Sequence, residues 1–417
     1  MKWPTLEDAL QAASALAGVT YRTPLQESGY INDLIGCRVF FKLENLQRSG
    51  SFKLRGAYNR IRHLTPEELT RGVVAASAGN HAQGVALAAG LVGTTAVIVT
   101  PEGASLNKIE ATRSYGAEVR QVGESFDDAV AEAQRIADQT GRVLIHAFDD
   151  PMVVAGQGTI GLEIMDERAT VDMLVVPIGG GGLISGIAMA AKAQNPRVKI
   201  VGVQASGADA MLQSRQVGRV QPRSMVRTIA DGIAVKRPGD LTFAMIQHYV
   251  DDIVTVDEHD ISRAILIFLE RSKLLVEGAG AVGLAALLAG KIQTGSQTVA
   301  TVVSGGNIDV TLLNRIIEKG LVEEGRQLHL RTTIPDRPGQ LSRLLERVAE
   351  LKANVDRVNH ERWDPTIAPQ DVSVDLILET RDVSHRQEII ASLEADGYQV
   401  NLEMHSAINH RTKNFDN

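Results

Sequence analysis

The sequence contains a single cysteine, Cys37, among its 417 residues. One cysteine excludes an internal disulfide and a cysteine-rich metal site, and it fits a cytoplasmic protein. The simplest interpretation of Cys37 is a small buried apolar residue, with a catalytic thiol as the alternative. Glu7 and Asp8 interrupt the region where a secretory leader would have its apolar segment, so we expect no leader.

Aromatic residues and positive charge are also scarce. Aromatics make up 4% of the chain, and 43 lysines and arginines are outnumbered by 50 aspartates and glutamates, which gives a net charge of −7. A nucleic-acid-binding protein needs a basic face and often aromatic platforms, so this composition argues against that function.

Long apolar runs are missing as well. The stretches 72–101 and 173–191 lack charged residues but are interrupted by polar residues or by proline and glycine. A third, 278–290, is shorter than the roughly 20 residues of a membrane-spanning helix. The three stretches therefore predict buried cores, and no contact with a membrane is expected.

The pattern up to residue 322 alternates apolar strands, glycine turns and helices. Strands are predicted at 38–43, 73–76, 96–99, 118–122, 142–145, 173–178, 199–204 and 298–304. Helices are predicted at 5–19, 82–91, 105–115, 126–139, 157–168, 184–194, 240–248, 258–273 and 279–289. Such alternation predicts an α/β fold with parallel strands and crossover helices.

The pattern changes after residue 321. Strands are predicted at 328–334, 355–362, 372–378 and 399–404, with helices at 339–351 and 384–395. The resulting order, βαββαβ, is that of a ferredoxin-like domain. We place the domain boundary near residue 325, and we expect residues 406–417 to form a loose tail.

A run of glycines directly follows the predicted strand 173–178 and opens a helix: Gly179, Gly180, Gly181 and Gly182. Consecutive glycines let several backbone N–H groups converge on one point, and the helix N-terminus adds partial positive charge. The run predicts a phosphate-binding turn, with a plain flexible turn as the alternative. No Walker lysine follows, which argues against a nucleoside triphosphate.

Lys53 follows Phe52 and precedes a predicted amphipathic helix over 54–63. We expect Ser49 and Ser51 to cap this helix, which places Lys53 in its first turn. There the helix dipole disfavours another positive charge and lowers the pKa of the amine. A lysine of lowered pKa is suited to forming a Schiff base, and an ordinary surface lysine is the alternative.

Two polar turns follow predicted strands, at 77–81 (SAGNH) and 304–307 (SGGN). Ligand sites in open α/β sheets collect at the carboxyl ends of strands. Together with the glycine run and Lys53, these turns predict a site for pyridoxal phosphate. The motif GAGAVG at 278–283 matches a dinucleotide fingerprint, but a helical pattern precedes it and no acid follows at the required distance. We interpret it as a closely packed helix.

Five motifs in this order resemble those of the fold-type II pyridoxal-phosphate enzymes, and within them the threonine ammonia-lyases. They are SFKLRGA at 51–57, SAGNHAQG at 77–84, the glycines of 179–182, IADG at 229–232 and SGGN at 304–307. The resemblance implies a two-lobed, tryptophan synthase β-like catalytic domain over 1–322. A small lobe at about 49–146 would be inserted in the large lobe.

The resemblance also implies how the cofactor is held. Lys53 would form the Schiff base and move the Cα proton, Phe52 would pack beside the cofactor, and Asn80 would bond its 3′-oxygen. Ser304 would face the pyridine nitrogen. The phosphate would be bound by Gly179, Gly180, Gly181, Gly182 and Leu183.

The implied reaction converts L-threonine to 2-oxobutanoate and ammonia by elimination of water, with L-serine as a further substrate. The substrate carboxylate would be held by Ser77, Gly79, Asn80 and His81. Serine racemases of this family have a serine where this chain has Ala78, which favours a lyase. Some members bind a divalent cation through an acidic pair, here replaced by Gln204 and Ala210, so we expect no metal site.

The segment 327–405 resembles an ACT regulatory domain through its motif IPDRPGQL at 334–341. Such domains bind an amino acid between paired copies, near the loop 336–339 and the helix that follows. The resemblance implies a homodimer or homotetramer modulated by an end product such as isoleucine or valine. A domain used only for oligomerisation is the alternative.

Two other functions fit parts of the same pattern. A serine or threo-3-hydroxyaspartate ammonia-lyase would share the scaffold, and the latter would need an extra cationic contact for the second carboxylate. A non-catalytic amino-acid sensor would use only the C-terminal domain. The presence of Lys53, Asn80 and the glycine run argues against the sensor.

Overall fold

The structure, a computed structural model, describes residues 2–363 and 365–402. It divides into two compact units, Met1–Leu312 and Leu313–Asn417, so the division falls within a helix over Val310–Glu323. The sequence predicts the boundary after this helix, near residue 325. The end of the helix is tied to the second unit, because Arg386 Nη1 donates to the carbonyl of Val322 at 3.2 Å.

The first unit contains two sheets. Its strands are β1 (Leu25–Glu27), β2 (Arg38–Leu43), β3 (Val73–Ala76), β4 (Ala96–Thr100), β5 (Glu118–Gln121), β6 (Val143–Leu144), β7 (Met173–Pro177), β8 (Lys199–Ala205), β9 (Asp252–Val256) and β10 (Thr298–Val303). The larger sheet has the order β1-β2-β10-β7-β8-β9, and the smaller has the order β5-β4-β3-β6. Every pairing is parallel except that of β1 with β2. The smaller sheet is built from chain between β2 and β7, as an insertion in the larger fold.

The strands at the centre of each sheet are almost entirely buried. All five residues of β7 are buried, which is typical of parallel strands within an α/β layer. The parallel registers align strand ends, so that Pro177 of β7 pairs with Val203 of β8, and Val303 of β10 pairs with Leu43 of β2. The loops that follow β7 and β10 therefore emerge at the same edge.

The helices of the first unit pack on these sheets. They are α1 (Leu6–Leu16), α2 (Gly29–Ile35), α3 (Lys53–Ile61), α4 (Pro66–Arg71), α5 (Asn80–Val92), α6 (Leu106–Ser114), α7 (Phe126–Thr140), α8 (Pro151–Glu167), α9 (Gly182–Gln194), α10 (Ala210–Val217), α11 (Asp240–Tyr249), α12 (Glu258–Ile267) and α13 (Gly278–Leu288). The helix Val310–Glu323 is α14.

Two predicted helices have the wrong limits. The helix predicted at 157–168 begins at Pro151, because Asp150 caps it through the backbone N–H groups of Met152 and Val153. The helix predicted at 258–273 ends at Ile267 and continues as one π-helical segment, Phe268–Ser272. Apolar periodicity alone does not reveal either a cap or a change of helix type.

The second unit has the predicted ferredoxin-like order. Its elements are β11 (Gln327–Pro335), α15 (Gln340–Glu350), β12 (Asn354–Glu361), β13 (Asp371–Glu379), α16 (Val383–Ala395) and β14 (Asn401–Leu402). They form an antiparallel sheet of order β12-β13-β11-β14. The strand predicted at 399–404 is described only as far as Leu402, and the predicted tail 406–417 lies outside the described residues.

The structure also describes the cysteine, the apolar helices and the clusters of metal-ligating residue types. Cys37 is buried and free. Among residues 2–363 and 365–402, no helix is long and apolar enough to cross a membrane. Within the same residues, no group of three or more histidine, cysteine, aspartate and glutamate side chains could hold a metal ion.

Candidate active site

The residues predicted to form a site line one cavity of about 680 Å³ in the first unit. Three of its loops follow directly on β3, β7 and β10, so the cavity lies at carboxyl ends of strands from both sheets. The predicted residues in its lining are Phe52, Lys53, Ser77, Gly79, Asn80, His81, Gly179, Gly180, Gly181, Gly182, Leu183 and Ser304. Every predicted site residue thus lies at this one cavity.

Lys53 is the first residue of α3, and its Nζ donates to the carbonyl oxygen of Ala147 at 3.3 Å. Burial lowers the pKa of Lys53 to about 8, against the opposing attraction of Glu277. The sequence predicts this direction from the helix dipole, and the structure adds burial as a cause. The predicted serine cap is wrong, because Phe52 is the N-cap residue of α3 and provides no side-chain hydrogen bond.

The segment before Lys53 is hydrogen-bonded to the turn after β10. The backbone N–H of Phe52 donates to the carbonyl of Ser304 at 3.2 Å, and the N–H of Gly306 donates to the carbonyl of Gly50 at 2.9 Å. These bonds hold Ser304 at a fixed position relative to Lys53, although the two residues are far apart in the sequence.

The turn between β3 and α5 is positioned by its own side chains. The Ser77 hydroxyl accepts from the N–H of Gly79 at 3.2 Å, and Nε2 of His81 lies 2.9 Å from the carbonyl of Ile145. Burial, with a smaller contribution from the charge of Lys53, lowers the pKa of His81 to about 3. His81 is therefore neutral, and its Nε2–H donates to that carbonyl.

The glycine turn after β7 leaves a set of buried N–H groups available. The first backbone bond of α9 runs from the N–H of Ser185 to the carbonyl of Gly181 at 3.0 Å, so the N–H groups before Ser185 have no acceptor in the helix. Gly181 has a φ of 98°, which disfavours any side chain. A Cβ on Gly180 would lie 2.3 Å from the ring of Phe148. The turn fits a phosphate group.

Glu277 also lines the cavity, although the sequence analysis does not predict it as a site residue. It is the N-cap residue of α13, is 3% exposed, and accepts from Asn80 Nδ2 at 2.7 Å. Burial raises the pKa of Glu277 to about 7; the charge of Asp231 acts in the same direction, and the hydrogen bond from Asn80 acts against it. The sequence feature that could have indicated Glu277 is an acidic residue directly before a helix of small residues.

The glycines of 278–283 serve close packing, which agrees with the interpretation from the sequence. A Cβ on Gly280 would lie 2.7 Å from the carbonyl of Gly305, and one on Gly283 would lie 2.0 Å from Thr301 Oγ1. Helix α13 consequently approaches β10 and the turn after it, and this approach brings Glu277 to the cavity.

Apart from Lys53, the lysines and arginines that line the cavity are paired with carboxylates. Lys108 bonds to Asp231, and Lys236 Nζ lies 2.7 Å from Asp127 Oδ2. Both pairs join an element next to the smaller sheet, α6 or α7, to the loop 231–236 of the larger lobe. Arg237 pairs with Asp240 at 2.8 Å. The first two pairs therefore link the part of the unit that contains the smaller sheet to the loop 231–236 beside the cavity.

Gln204, which replaces an acidic residue in the resemblance, has its side-chain amide satisfied by backbone groups. Its Nε2 donates to the carbonyl of Ala208 at 3.0 Å, and its Oε1 accepts from the N–H of Leu212 at 2.9 Å. The amide is therefore a structural link between β8 and α10.

The arrangement fits a phosphorylated aldehyde. Buried N–H groups at the start of α9 suit a phosphate, and an amine of lowered pKa suits a carbonyl. Glycines keep the turn free of side chains, and Ser304 adds a hydroxyl to the same lining. These groups are the ones that pyridoxal phosphate requires.

Comparison with known proteins gives the same result. Residues 16–305 match the family described as pyridoxal-phosphate dependent enzyme. The chain is 51% identical over 398 residues to the L-threonine ammonia-lyase of Thermotoga maritima, covering 95% of this chain and 99% of that protein.

Two solved structures are similar to this chain at 38% identity. Maize serine racemase has a TM-score of 0.73 and covers 77% of this chain and 99% of its own. The processed form of threonine deaminase isoform 2 from Solanum lycopersicum has a TM-score of 0.71 and covers 76% and 90%. The chain belongs to the family of pyridoxal-phosphate dependent enzymes.

Proposed function

We propose that this protein is a threonine ammonia-lyase, which converts L-threonine to 2-oxobutanoate and ammonia and also accepts L-serine. The observation that carries the proposal is the placement of Lys53, with its lowered pKa, and the open glycine turn after β7 around one cavity. The names of the Thermotoga maritima and Solanum lycopersicum proteins support threonine as the substrate.

The chain's own groups hold the cofactor in this proposal. Its phosphate would be bound by the N–H groups of Gly179, Gly180, Gly181, Gly182 and Leu183. Phe52 would pack beside the ring, Asn80 would donate to the 3′-oxygen, and the Ser304 hydroxyl would face the pyridine nitrogen. When bound, the cofactor supplies a carbonyl for the substrate amine and a conjugated ring that takes up the electron pair left at Cα.

Lys53 is the proton carrier. With a pKa of about 8, its Nζ would have a useful neutral fraction near neutral pH, so it could act as a base when it is not bound to the cofactor. The neutral amine would remove the Cα proton. The proton taken from Cα balances the one that the β-hydroxyl needs in order to leave as water, and one water molecule is consumed when ammonia is released, so that one threonine gives one 2-oxobutanoate and one ammonia.

Ser77, Gly79, Asn80 and His81 hold the substrate carboxylate. They lie at the start of α5, whose first backbone bond runs from the N–H of Gln83 to the carbonyl of Gly79 at 3.4 Å. The N–H groups of residues 80–82 therefore have no acceptor within the helix, and the helix dipole favours a negative charge there. Neutral His81 positions the turn through its Nε2–H and takes no part in proton transfer.

The charges around the cavity favour a substrate with one carboxylate. Lys108, Lys236 and Arg237 are each paired with an aspartate. A second carboxylate, as in threo-3-hydroxyaspartate, would have to break one of these pairs. Threonine and serine carry a neutral β-substituent and need no such cation.

Ala78 favours elimination over racemisation. It lines the cavity beside Ser77, and its methyl group neither gives nor takes a proton. A racemase needs a second group to return a proton to Cα, whereas elimination needs only the removal of one. The similarity to maize serine racemase therefore indicates a shared scaffold, with a different outcome at Cα.

The second unit is the regulatory part in this proposal. Its sheet order and its two helices are those of a ferredoxin-like domain, and we assign to it the ACT-like role that the motif at 334–341 predicts. We assign an amino-acid effector, such as isoleucine or valine, to the loop 336–339 and the start of α15. The pairing of such units between chains implies a homodimer or homotetramer, and the single cysteine fits a cytoplasmic location.

A substrate panel tests the proposed activity. We expect 2-oxo acid release from L-threonine, a slower release from L-serine and little from threo-3-hydroxyaspartate. Lys53→Ala abolishes turnover and the absorbance of the bound cofactor, whereas Lys192→Ala, which removes a surface ion pair with Asp251, changes neither. Retention of both signals in Lys53→Ala would contradict the assignment.

The same assay tests regulation. With isoleucine or valine present, we expect a change in the threonine dependence of the rate and a higher melting temperature. Unchanged kinetics and an unchanged melting temperature with both amino acids would leave the second unit as an assembly domain only. A chain that releases no 2-oxo acid from any substrate, and still binds these amino acids, would be a sensor.

A further inference from the structure

Asn80 is held in one orientation by neighbours on both ends of its side-chain amide. Its Oδ1 accepts from Asn307 Nδ2 at 2.8 Å, and its Nδ2 donates to Glu277 Oε1 at 2.7 Å. An asparagine amide has a donor end and an acceptor end, so its function depends on which end faces the ligand.

The backbone carbonyl of Ser49 determines which end of each amide donates and which accepts in these hydrogen bonds. Asn307 Nδ2 also donates to the backbone carbonyl of Ser49 at 2.9 Å. A carbonyl only accepts, so the nitrogen of the Asn307 amide must face Ser49 and Asn80. Oδ1 of Asn80 then faces Asn307, and its Nδ2 faces Glu277 and the cavity.

We propose that Asn307 is a positioning residue, which turns the N–H end of the Asn80 amide towards the cofactor. The inference rests on the proposed role of Asn80 as the donor to the 3′-oxygen of pyridoxal phosphate. Asn307 itself is absent from the cavity lining and acts through Asn80. The SGGN motif by itself does not predict this role for Asn307, because the sequence does not show that the Asn307 amide contacts Asn80.

The surroundings of Asn307 keep its amide in place. Gln83 Oε1 lies 3.4 Å from the same Nδ2, so the neighbours of this nitrogen are acceptors. A Cβ on Gly50 would lie 2.3 Å from Asn307 Oδ1, so the opposite end of the amide packs closely on a glycine. Asn307 joins the segment before Lys53 to the start of α5.

Asn307→Asp is the decisive variant, since it keeps the size of the side chain and removes the donor. The carboxylate repels Oδ1 of Asn80, and turning the amide over would place the same oxygen against Glu277 Oε1, so Nδ2 is no longer held towards the cavity. We expect the dissociation constant of pyridoxal phosphate to rise about tenfold or more, because a hydrogen bond to a charged oxygen is lost. The absorbance maximum of the bound cofactor shifts as it does in Asn80→Ala.

Asn307→Ala distinguishes positioning from packing. It leaves the Asn80 amide oriented by Glu277 alone and adds no repulsion, so it weakens cofactor binding less than Asn307→Asp does. Asn45→Asp is the matched control: Asn45 is also buried, donates to the carbonyl of Leu275, and packs near Gly306 without touching Asn80. We expect this control to bind the cofactor within about twofold of the parent.

A double-mutant cycle completes the test. In the Asn80→Ala background, Asn307→Asp has no further effect on cofactor affinity or absorbance, because the residue through which it acts is gone. Equal effects of Asn307→Asp in both backgrounds would overturn the proposal, as would an unchanged affinity and spectrum in the single variant. If Asn80→Ala itself leaves the affinity and spectrum unchanged, the assigned role of Asn80 fails instead.

Discussion

Arg55 Nη2 donates to Glu44 Oε1 at 2.8 Å, and the two side chains are 1% and 0% exposed. Arg55 Nη1 also lies 2.5 Å from Glu163 Oε1, and the fully buried Lys42 lies 2.6 Å from Glu163 Oε2. These four residues form a buried ionic cluster that ties α3 to α8 and to the end of β2. Since Lys53 is on α3, the cluster anchors the helix that carries the candidate catalytic amine.

Arg55→Ala should destabilise the protein strongly. Removing the guanidinium leaves the carboxylate of Glu44 buried with one partner fewer, which costs about 3–5 kcal/mol of the free energy of unfolding. Urea unfolding measures the loss. Arg22→Ala is the control, because its ion pairs with Asp166 and Glu167 are solvent-exposed and should contribute less than about 1 kcal/mol. Equal losses in the two variants would contradict the role of the cluster.

Gly180→Ala should weaken cofactor binding. The new methyl group would meet the ring of Phe148 at 2.3 Å, so the turn must shift, at a cost of about 1–3 kcal/mol. We expect a rise of about tenfold in the dissociation constant of pyridoxal phosphate, measured by titration of the apoprotein. Gly103→Ala, where the methyl group meets nothing within 4 Å, should leave the constant unchanged. Equal affinity of both variants would show that the turn tolerates a side chain.

Gly50→Ala separates backbone strain from collision. Gly50 has a φ of 70°, and its methyl group would lie 2.3 Å from Asn307 Oδ1. Gly36→Ala shares the strain, with a φ of 82°, but has open space around it. We expect Gly36→Ala to cost about 1–2 kcal/mol in urea unfolding, and Gly50→Ala about 1–3 kcal/mol more. An equal loss of unfolding free energy in the two variants would show that the loop before Lys53 accommodates the methyl group without strain.

The pKa of Lys53 predicts how fast the apoprotein captures its cofactor. Attack on the aldehyde requires the neutral amine, whose fraction rises with pH up to the pKa and is constant above it. With a pKa of about 8, the capture rate, followed by absorbance, should rise about tenfold per pH unit below 8 and level off above it. An unshifted lysine, with a pKa of about 10.4, would keep the rate rising beyond pH 9. Lys53→Ala should show no capture.

Much of this fold follows from local sequence pattern. The apolar run 173–178 and the glycines after it predict β7 and the open turn before α9. Both predictions depend only on the types of neighbouring residues: a continuous apolar run favours a buried strand, and a glycine run favours an open turn. The predicted limits of α8 and α12 are wrong, since a side-chain cap at Asp150 and a π-helical segment at Phe268–Ser272 depend on individual hydrogen bonds that apolar periodicity does not reveal. Glu277 was missed because an acidic residue before a helix is common on surfaces.

By itself, the sequence determined the α/β order of the first unit, the βαββαβ order of the second and the identity of the candidate cofactor-binding loops, since these depend on residue type and spacing along the chain. Only the tertiary structure decided which groups meet. It buried Lys53 and so lowered its pKa, brought Glu277 to Asn80, and paired the turn at Ser304 with the segment before Lys53. The physical reason is that burial and long-range hydrogen bonds depend on distances between residues far apart in the chain, which no local pattern specifies.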